Sequence, residues 1–327
     1  MKKVALVTGV TGQDGIYLAN LLNEKGYEVF GATRNKDTTV LDEEVAAQLN
    51  DVHIVDWNLR DKNDIRKLLE RTQPAEVYNL AAFTSGEGMF SEPDIMGDVN
   101  GLGVVRILES IKQFNPRIKF CQASSREVFG VPSEEPQDEM TLINPRSPYG
   151  AAKAYADMMI KIYREHYNLF ACSAILFNHE SPFRGQHFVT RKITQTAAKI
   201  KLGLEHRLVL GNLDARRDWG FAGDYMLAMW KMLQNDVAED FIVATGTVHT
   251  VRDACKYAFD FLGLDYRDFV DDSNTEFFRP AESVELVGNA SKLQTELSWK
   301  PLVDFRSTIE MMVEHDFQLL KNRNIQE

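Results

Sequence analysis

The segment TGVTGQDG, residues 8–15, is the strongest indication of the fold, because its glycines stand between an apolar run and a helical pattern. Val4–Thr8 has the pattern of a short strand, and Ile16–Lys25 that of a helix. Glycines at this place allow a tight turn and let a pyrophosphate approach the amide groups at the helix N-terminus. Such a turn can serve packing alone, but its place between strand and helix is the setting that dinucleotide binding requires. The turn residues that we expect to contact a dinucleotide are Gly9, Thr11, Gly12, Gln13, Asp14 and Gly15.

Outward from this turn, strand-like and helical patterns alternate through the first half of the chain. The further strand-like runs are Glu28–Thr33, Val52–Val55, Glu76–Leu80 and Ile118–Ala123, and the helical ones are Asp61–Arg71 and Val104–Gln113. This alternation predicts an α/β fold with a doubly wound parallel sheet of the Rossmann type. After about residue 178 the alternation loosens, which predicts a second, smaller α/β region for substrate. We expect residues 1–178 and 219–245 to form the dinucleotide-binding domain, and 179–218 and 246–327 the other.

Composition excludes several classes of protein. A net charge of −11 over 327 residues argues against nucleic acid or an anionic membrane as the main partner. The apolar patch near the N-terminus is too short for a signal peptide or a membrane helix, so we expect a cytoplasmic protein without a membrane partner. Cys121, Cys172 and Cys255 are expected to be reduced thiols, and the histidines lack metal-ligand spacing, so no metal is expected.

The stretch SPYGAAK, residues 147–153, places a tyrosine four residues before a lysine at the start of a predicted helix. Pro148 suits the first helical turn, and Tyr149 and Lys153 then share one face. A nearby ammonium favours the phenolate, so Lys153 is expected to lower the pKa of Tyr149. Ser125 and Glu127 follow a strand, at the sheet edge where ligands bind. The alternative is a helix surface where the two residues are merely neighbours.

The end of the second predicted strand bears on the choice of nicotinamide cofactor. NAD sites place an acidic residue there for the ribose 2′-hydroxyl, whereas a basic residue suits the 2′-phosphate of NADP. The sequence has GATRNK, with Arg34 and no acidic residue before Asp37. NADP is therefore predicted, the alternative being that Arg34 is a solvated loop residue.

These motifs together resemble the GDP-mannose 4,6-dehydratase family of extended short-chain dehydrogenases/reductases. The specific strings are GVTGQDG, RSPYGAAK, LFNHESPFRGQHFVTRKIT, LGNLDARRDWGFAGDY and FFRPAE, which span nearly the whole chain. The resemblance implies a GDP-sugar substrate, a 4-keto-6-deoxy product and transient reduction of tightly held NADP. It implies Tyr149 as base with Lys153 as its partner, Ser125 at the sugar O4 and Glu127 as base at C5. A homodimer or homotetramer is expected.

The resemblance also implies contacts outside the catalytic set. Besides the glycine-rich turn, the expected NADP contacts are Arg34, Asn58, Leu59, Leu80, Ala81, Ala82, Tyr149, Lys153, His179 and Arg184. The expected substrate contacts are Glu87, Arg126, Asn178, Lys192, Arg217, Arg252, Arg279 and Glu282. The charges agree, because an acidic chain concentrates Arg191, Lys192, Arg216 and Arg217 in two predicted loops, and guanidinium groups match phosphate oxygens.

The sequence departs from the family pattern beside the expected sugar pocket. FTSGEGMF, residues 83–90, replaces a segment that normally contains Gln-Ser-His, and Arg126 stands where the family has a small polar residue. Arg126 and Glu87 are predicted to recognise a ring substituent or to pair with each other, so the sequence leaves the hexose or heptose open. Two alternatives remain: a C4 oxidoreductase or epimerase of the same superfamily, and a non-catalytic protein that senses sugar nucleotides.

Overall fold

A computed structural model of the protein describes residues 2–34, 43–83, 90, 92–273 and 285–326, with side chains to residue 322. Glu87, Arg279 and Glu282, which the sequence assigns to the substrate, lie outside these residues. Seven parallel strands form the central sheet, in the order β3-β2-β1-β4-β5-β6-β10. They are β1 (Val4–Thr8), β2 (Glu28–Thr33), β3 (His53–Asp56), β4 (Glu76–Asn79), β5 (Lys119–Ser125), β6 (Ala171–Leu176) and β10 (Phe241–Val243). The predicted doubly wound parallel sheet is confirmed.

Helices cover both faces of this sheet. In chain order the helices are α1 (Gln13–Glu24), α2 (Glu43–Gln48), α3 (Lys62–Thr72), α4 (Pro93–Met96), α5 (Gly103–Phe114), α6 (Pro148–Tyr167), α7 (Val189–Lys201), α8 (Ala222–Gln234), α9 (Val251–Phe261), α10 (Ser291–Leu297) and α11 (Phe305–Gln326). One core lies under α1 and α8, and the other under α3, α5 and α6. Along β1, Ala5 and Val7 enter the first core while Leu6 enters the second, as expected for a strand that is buried on both faces.

The second region has its own core, formed by α7, α9 and α11. Its strands are β7 (Asn178–Glu180), β8 (Leu208–Val209), β9 (Arg216–Phe221), β11 (Val248–Thr250) and β12 (Val270–Asp271). β7, β9 and β11 form one small sheet, and β8 pairs with β12 in another. The chain enters this region after β6 and returns to the central sheet through α8 and β10. The exact division of the chain into two domains stays a prediction.

Local signals explain why α6, the helix of the SPYGAAK motif, begins where it does. The Ser147 hydroxyl accepts a hydrogen bond from the Gly150 amide at 3.1 Å, and Pro148 occupies the first turn. The helix ends at Asn168, which adopts the left-handed conformation with φ 54°. None of the helices within the described ranges is both long and apolar enough to cross a membrane.

Candidate active site

The turn between β1 and α1 contains two glycines that the backbone itself requires. Gly9 has φ +67°, and a Cβ there would lie 2.9 Å from the amide nitrogen of Ala81. A Cβ on Gly15 would lie 2.4 Å from Cα of Val10. These residues are therefore fixed by the close approach of the turn to neighbouring backbone.

Gly12 is different, because it is exposed and a Cβ there would meet only the Gly9 carbonyl, at 3.4 Å. It is the N-cap of α1 and provides no side-chain cap for the amides of the first turn. Packing within the chain thus gives no reason for a glycine at this position, whereas close approach of a pyrophosphate to these amides does. The residues present fit a dinucleotide.

Asp14 and His179 form a pair directly behind this turn. Nε2 of His179 lies 3.0 Å from the Asp14 carboxylate, and Nδ1 lies 2.7 Å from the Phe177 carbonyl. Because both ring nitrogens face acceptors, the geometry suits a charged imidazolium. Burial opposes charge on both groups, yet their attraction outweighs it, so the pKa of His179 is raised and that of Asp14 falls to about 2. This pair joins the predicted cofactor turn to β7.

The predicted catalytic residues meet where β5 ends against the start of α6. The Ser125 hydroxyl, at the C-terminal end of β5, hydrogen-bonds to Tyr149. Lys153, one turn further along α6, is buried and donates from Nζ to the Ala123 carbonyl at 2.7 Å. Gly150 permits this approach, since a Cβ there would lie 2.4 Å from the Glu127 carbonyl oxygen. The structure therefore places all four predicted residues in one cluster.

The expected lowering of the Tyr149 pKa is not found in the protein alone, where the net shift is upward. Tyr149 is half-buried by its accessible surface, and burial raises the pKa of its phenol to about 12. The Ser125 hydrogen bond and Arg184 lower it, while Glu127 and Asp14 raise it further. Burial also lowers the pKa of Lys153 to about 8. Sequence spacing gave the right face of the helix but could not reveal how deeply both groups are buried.

Glu127 lies on a 3₁₀ turn that continues β5, and its amide donates to the Ser125 hydroxyl at 3.2 Å. Its carboxylate forms a close ion pair with Nη2 of Arg126, a side chain that is only 9% exposed. The structure therefore places Arg126 against Glu127, inside the predicted sugar pocket. Whether Arg126 also meets Glu87 stays a prediction, because Glu87 lies outside the described residues.

Asn100 is a residue of this site that the sequence interpretation missed. Its side chain accepts from the Phe83 amide at 2.8 Å and donates to the Phe83 carbonyl at 3.0 Å, which holds the loop after β4. It lies on a π-helix, Gly97–Leu102, that packs against α6. Such helices are rare and frequently occur at functional sites. The run GDVNGLG, with three glycines in an otherwise helical pattern, was the available signal.

The residues predicted to contact the rest of the cofactor lie along the C-terminal ends of β1 to β4. Arg34 follows β2 and is exposed. Asn58 follows β3, and its side-chain Oδ1 accepts a hydrogen bond from the Arg60 amide at 3.0 Å. This side-chain oxygen is therefore already part of a local turn. Leu59 is buried, whereas Leu80, Ala81 and Ala82 are partly exposed after β4.

Arg184 lies in the segment that follows β7. Its guanidinium stacks on the Phe188 ring at 3.5 Å and lies 3.1 Å from the Glu180 carboxylate. Arg184 also contributes to the electrostatics of both Tyr149 and Asp14. Its charge is therefore held close to the predicted nicotinamide site.

Apart from Arg126, the predicted substrate contacts that the structure describes lie in the second region. Asn178 on β7 pairs with Trp219 on β9, two residues after Arg217. Lys192 on α7 donates to the Val209 carbonyl at 2.8 Å. Arg252, in the first turn of α9, donates to the Asp214 carboxylate at 2.9 Å.

The expectation that four cationic residues of the second region lie in two loops is wrong. Arg191 and Lys192 belong to helix α7, and Arg216 and Arg217 to strand β9, so neither pair lies in a loop. Arg191 is buried and forms an ion pair with Asp316 of α11 at 2.5 Å. Its charge stabilises the packing of two helices, because a buried guanidinium needs a partner. Sequence clustering alone could not separate this structural arginine from its neighbours.

The described residues contain no group of three His, Cys, Asp or Glu side chains that could hold a metal ion. The cysteines are free thiols and are buried, and burial raises the pKa of Cys121 and Cys255. The chemistry available at the site is therefore that of a phenol, an ammonium, a hydroxyl and a carboxylate beside a dinucleotide turn.

Known proteins resemble this chain in sequence and in fold. The family profile described as GDP-mannose 4,6 dehydratase matches residues 6–312. GDP-mannose 4,6 dehydratase 1 of Arabidopsis thaliana is 45% identical over 99% of this chain and 92% of that protein. The Homo sapiens GDP-mannose 4,6 dehydratase is 41% identical over 98% of this chain and 93% of that protein. In fold, dTDP-glucose 4,6-dehydratase of Bacillus anthracis, solved in complex with NAD, has a TM-score of 0.82 at 22% identity, covering 98% of both chains.

Proposed function

The chain belongs to the GDP-mannose 4,6-dehydratase family, and we propose that it converts a GDP-sugar to the 4-keto-6-deoxy derivative with transient reduction of bound NADP. The observation that carries this proposal is the cluster of Ser125, Glu127, Tyr149 and Lys153 where β5 meets α6. This cluster combines a phenol, Tyr149, that can accept the C4 hydroxyl proton with a carboxylate, Glu127, that can accept the C5 proton. An enzyme that only oxidised C4 would need no carboxylate base for C5.

Tyr149 is the base for the C4 hydroxyl in this proposal. NADP, when bound, supplies the acceptor for the C4 hydride and the donor for C6. The phenolate must form at a site where burial opposes it, so the charge of Lys153 and the hydrogen bond from Ser125 are needed to stabilise it. Ser125 donates either to this phenolate or to the sugar O4, which fixes the orientation of the reacting hydroxyl.

Glu127 carries the second proton transfer. A 4-keto group acidifies the C5–H bond, and the Glu127 carboxylate removes that proton and protonates the departing C6 hydroxyl as water. The close ion pair with Arg126 holds this carboxylate beside Ser125 and Tyr149. We propose that the base role belongs to Glu127 because of this position.

The cofactor is proposed to be NADP rather than NAD. The exposed Gly12 at the N-terminus of α1 supports a dinucleotide of either kind, and Arg34 at the end of β2 supports NADP. A guanidinium there suits a ribose 2′-phosphate. The other proposed contacts are the remaining turn residues with Asn58, Leu59, Leu80, Ala81, Ala82, His179 and Arg184.

The substrate is proposed to be a GDP-sugar held by the second region. Asn178, Lys192, Arg217 and Arg252 supply its polar contacts, together with Arg279 and Glu282, and Arg126 with Glu87 faces the sugar. Incubation of the holoenzyme with a panel of GDP-hexoses and GDP-heptoses tests this. We expect a product lighter by one water from one member. A product of unchanged mass would indicate an epimerase. Accumulation of NADPH would indicate a C4 oxidoreductase, and binding without conversion would indicate a sensor.

The assembly and location are also proposals. We propose a homodimer or homotetramer that forms through α6, where Tyr155, Met158 and Ile162 make an exposed apolar stripe beside Leu102. A cytoplasmic location is supported by the buried free thiols, which are typical of reducing compartments. The division at residue 178 and the return over 219–245 are proposed as the domain boundaries.

A further inference from the structure

Three consecutive residues of β5 contact three residues of α6 that are one helical turn apart. The pairs are Ser125 with Tyr149, Ala123 with Lys153, and Ser124 with Asp157. Residues four apart share a helix face, so Asp157 continues the row formed by the predicted base and its lysine. The first two members have roles in the proposed mechanism, and the third does not.

Asp157 is 9% exposed, and hydroxyl donors serve both of its carboxylate oxygens. The Ser124 hydroxyl on β5 donates to Oδ2 at 2.5 Å, and the Ser173 hydroxyl on β6 donates to Oδ1 at 2.7 Å. A carboxylate is acceptor-only, so this arrangement fits the charged form. Burial raises the pKa of Asp157 to about 7, while the two serines and Lys153 lower it.

Lys153 needs such a partner, because the residue is only 2% exposed and burial lowers the pKa of its ammonium to about 8. The acidic groups that face it are Asp157 and Asp14, and both raise its pKa. Asp14 is already paired with His179, which offsets its charge. Tyr149 lies on the same helix with its ring centre 5.7 Å from Nζ. Asp157, in contrast, is bound by two hydroxyl groups and, among the described residues, not by a second basic side chain, so its negative charge acts on Lys153.

The remaining charged groups near Asp157 do not replace it. Asp240 raises the pKa of Asp157 by repulsion, but Arg164 binds the Asp240 carboxylate through two hydrogen bonds at 2.9 and 2.7 Å. Asp240 is thus committed to a separate ion pair at the end of β6.

We propose that Asp157 is a positioning residue, whose buried carboxylate keeps the Lys153 ammonium protonated beside Tyr149. The proposal rests on the proposed function in that Tyr149 must ionise during the reaction. Asp157 touches neither substrate nor cofactor, and it acts through Lys153.

Asp157→Asn isolates the charge, because an amide can accept from one serine and donate to the other. Ser173→Ala is the matched control, since it removes one hydrogen bond and leaves the carboxylate charged at alkaline pH. The titration of Lys153 is followed by NMR of holoenzyme with 13Cε-labelled lysine, the signal being assigned by its loss in Lys153→Arg. This measurement requires no turnover, so it tests Asp157 separately from the reaction.

We expect Asp157→Asn to lower the titration midpoint of Lys153 by about one pH unit, as loss of a nearby opposite charge should. Ser173→Ala should leave that midpoint unchanged. In single-turnover reduction of NADP, the alkaline limb of the pH profile should move down by the same amount in Asp157→Asn. An unchanged Lys153 midpoint, or an equal loss of rate at every pH, would overturn the proposal.

The double variant Ser124→Ala/Ser173→Ala covers the case in which Asp157→Asn does not fold. Without either hydroxyl donor, burial and Asp240 raise the pKa of Asp157, and Lys153 is left to lower it. The carboxyl should therefore stay neutral over the neutral pH range. The Lys153 midpoint should fall here as well. A midpoint equal to that of the wild type would again contradict the proposal.

Discussion

Gly12→Ala should weaken cofactor binding and leave the fold intact. The φ of −84° at this residue is open to alanine, and the added methyl meets only the Gly9 carbonyl at 3.4 Å. Replacing glycine at a compatible position stabilises by about 0.4–1 kcal/mol. Alanine is a poorer N-cap by about as much, so the two effects should nearly cancel. The melting temperature of the protein without cofactor should change by less than about 3 °C.

The same methyl stands where a pyrophosphate must approach the amides of α1. Loss of one charge-assisted contact costs about 1.5–3 kcal/mol, which corresponds to about 10- to 150-fold weaker binding of NADP. The assay is isothermal titration of the protein stripped of nucleotide, with its melting temperature measured in parallel. Gly15→Ala is the matched control.

The control should give the opposite result, because a Cβ on Gly15 would lie 2.4 Å from Cα of Val10. Overpacking against backbone costs about 1–3 kcal/mol, so this variant should lose stability. A Gly12→Ala protein that binds NADP as tightly as the wild type would refute the assignment of the turn.

Three other predictions concern the cofactor and substrate contacts. Arg34→Ala should weaken NADP binding about 10-fold or more and leave NAD binding unchanged, whereas equal losses in titrations with both would contradict a 2′-phosphate contact. Lys192→Ala or Arg217→Ala should raise KM and leave bound NADP unchanged, with Arg207→Ala, an exposed arginine paired with Asp271, as a control that changes neither. His179→Gln removes the pair with Asp14. Because that pair raises the pKa of His179, its stabilisation is complete below about pH 6.5 and is lost as pH rises through the raised value. The difference in melting temperature from the wild type should therefore shrink at alkaline pH, and a constant difference from pH 6 to 9 would speak against a charged imidazolium.

Much of the central sheet was predictable, because local patterns determine it. The glycine-rich turn and the β1 and β2 boundaries follow from apolar runs and turn residues in short windows. The spacing of Tyr149 and Lys153 likewise determines one helix face. These features depend on residues close together in sequence, so the sequence alone is enough to locate them.

The missed features depend on contacts between distant segments. Arg191 was grouped with substrate residues because its partner, Asp316, lies 125 positions later on α11. The raised pKa of Tyr149 reflects burial by several elements. Asn100 lies in the glycine-containing run GDVNGLG and Asp157 in an ordinary helical pattern, and their partners at Phe83, Ser124 and Ser173 become neighbours only in the fold. Sequence spacing does not encode such long-range partners.

The most direct test of the dehydratase mechanism is a single turnover of Glu127→Gln with the GDP-sugar that the wild type converts. The substitution keeps the shape of the side chain and removes its basicity, and general acid–base groups contribute about 10²–10⁴-fold in rate. NADPH absorbance should appear and persist, with water loss slowed by about that factor, while Tyr149→Phe should give no absorbance. Turnover of Glu127→Gln at the wild-type rate would show that another group moves the C5 proton, and would contradict the account.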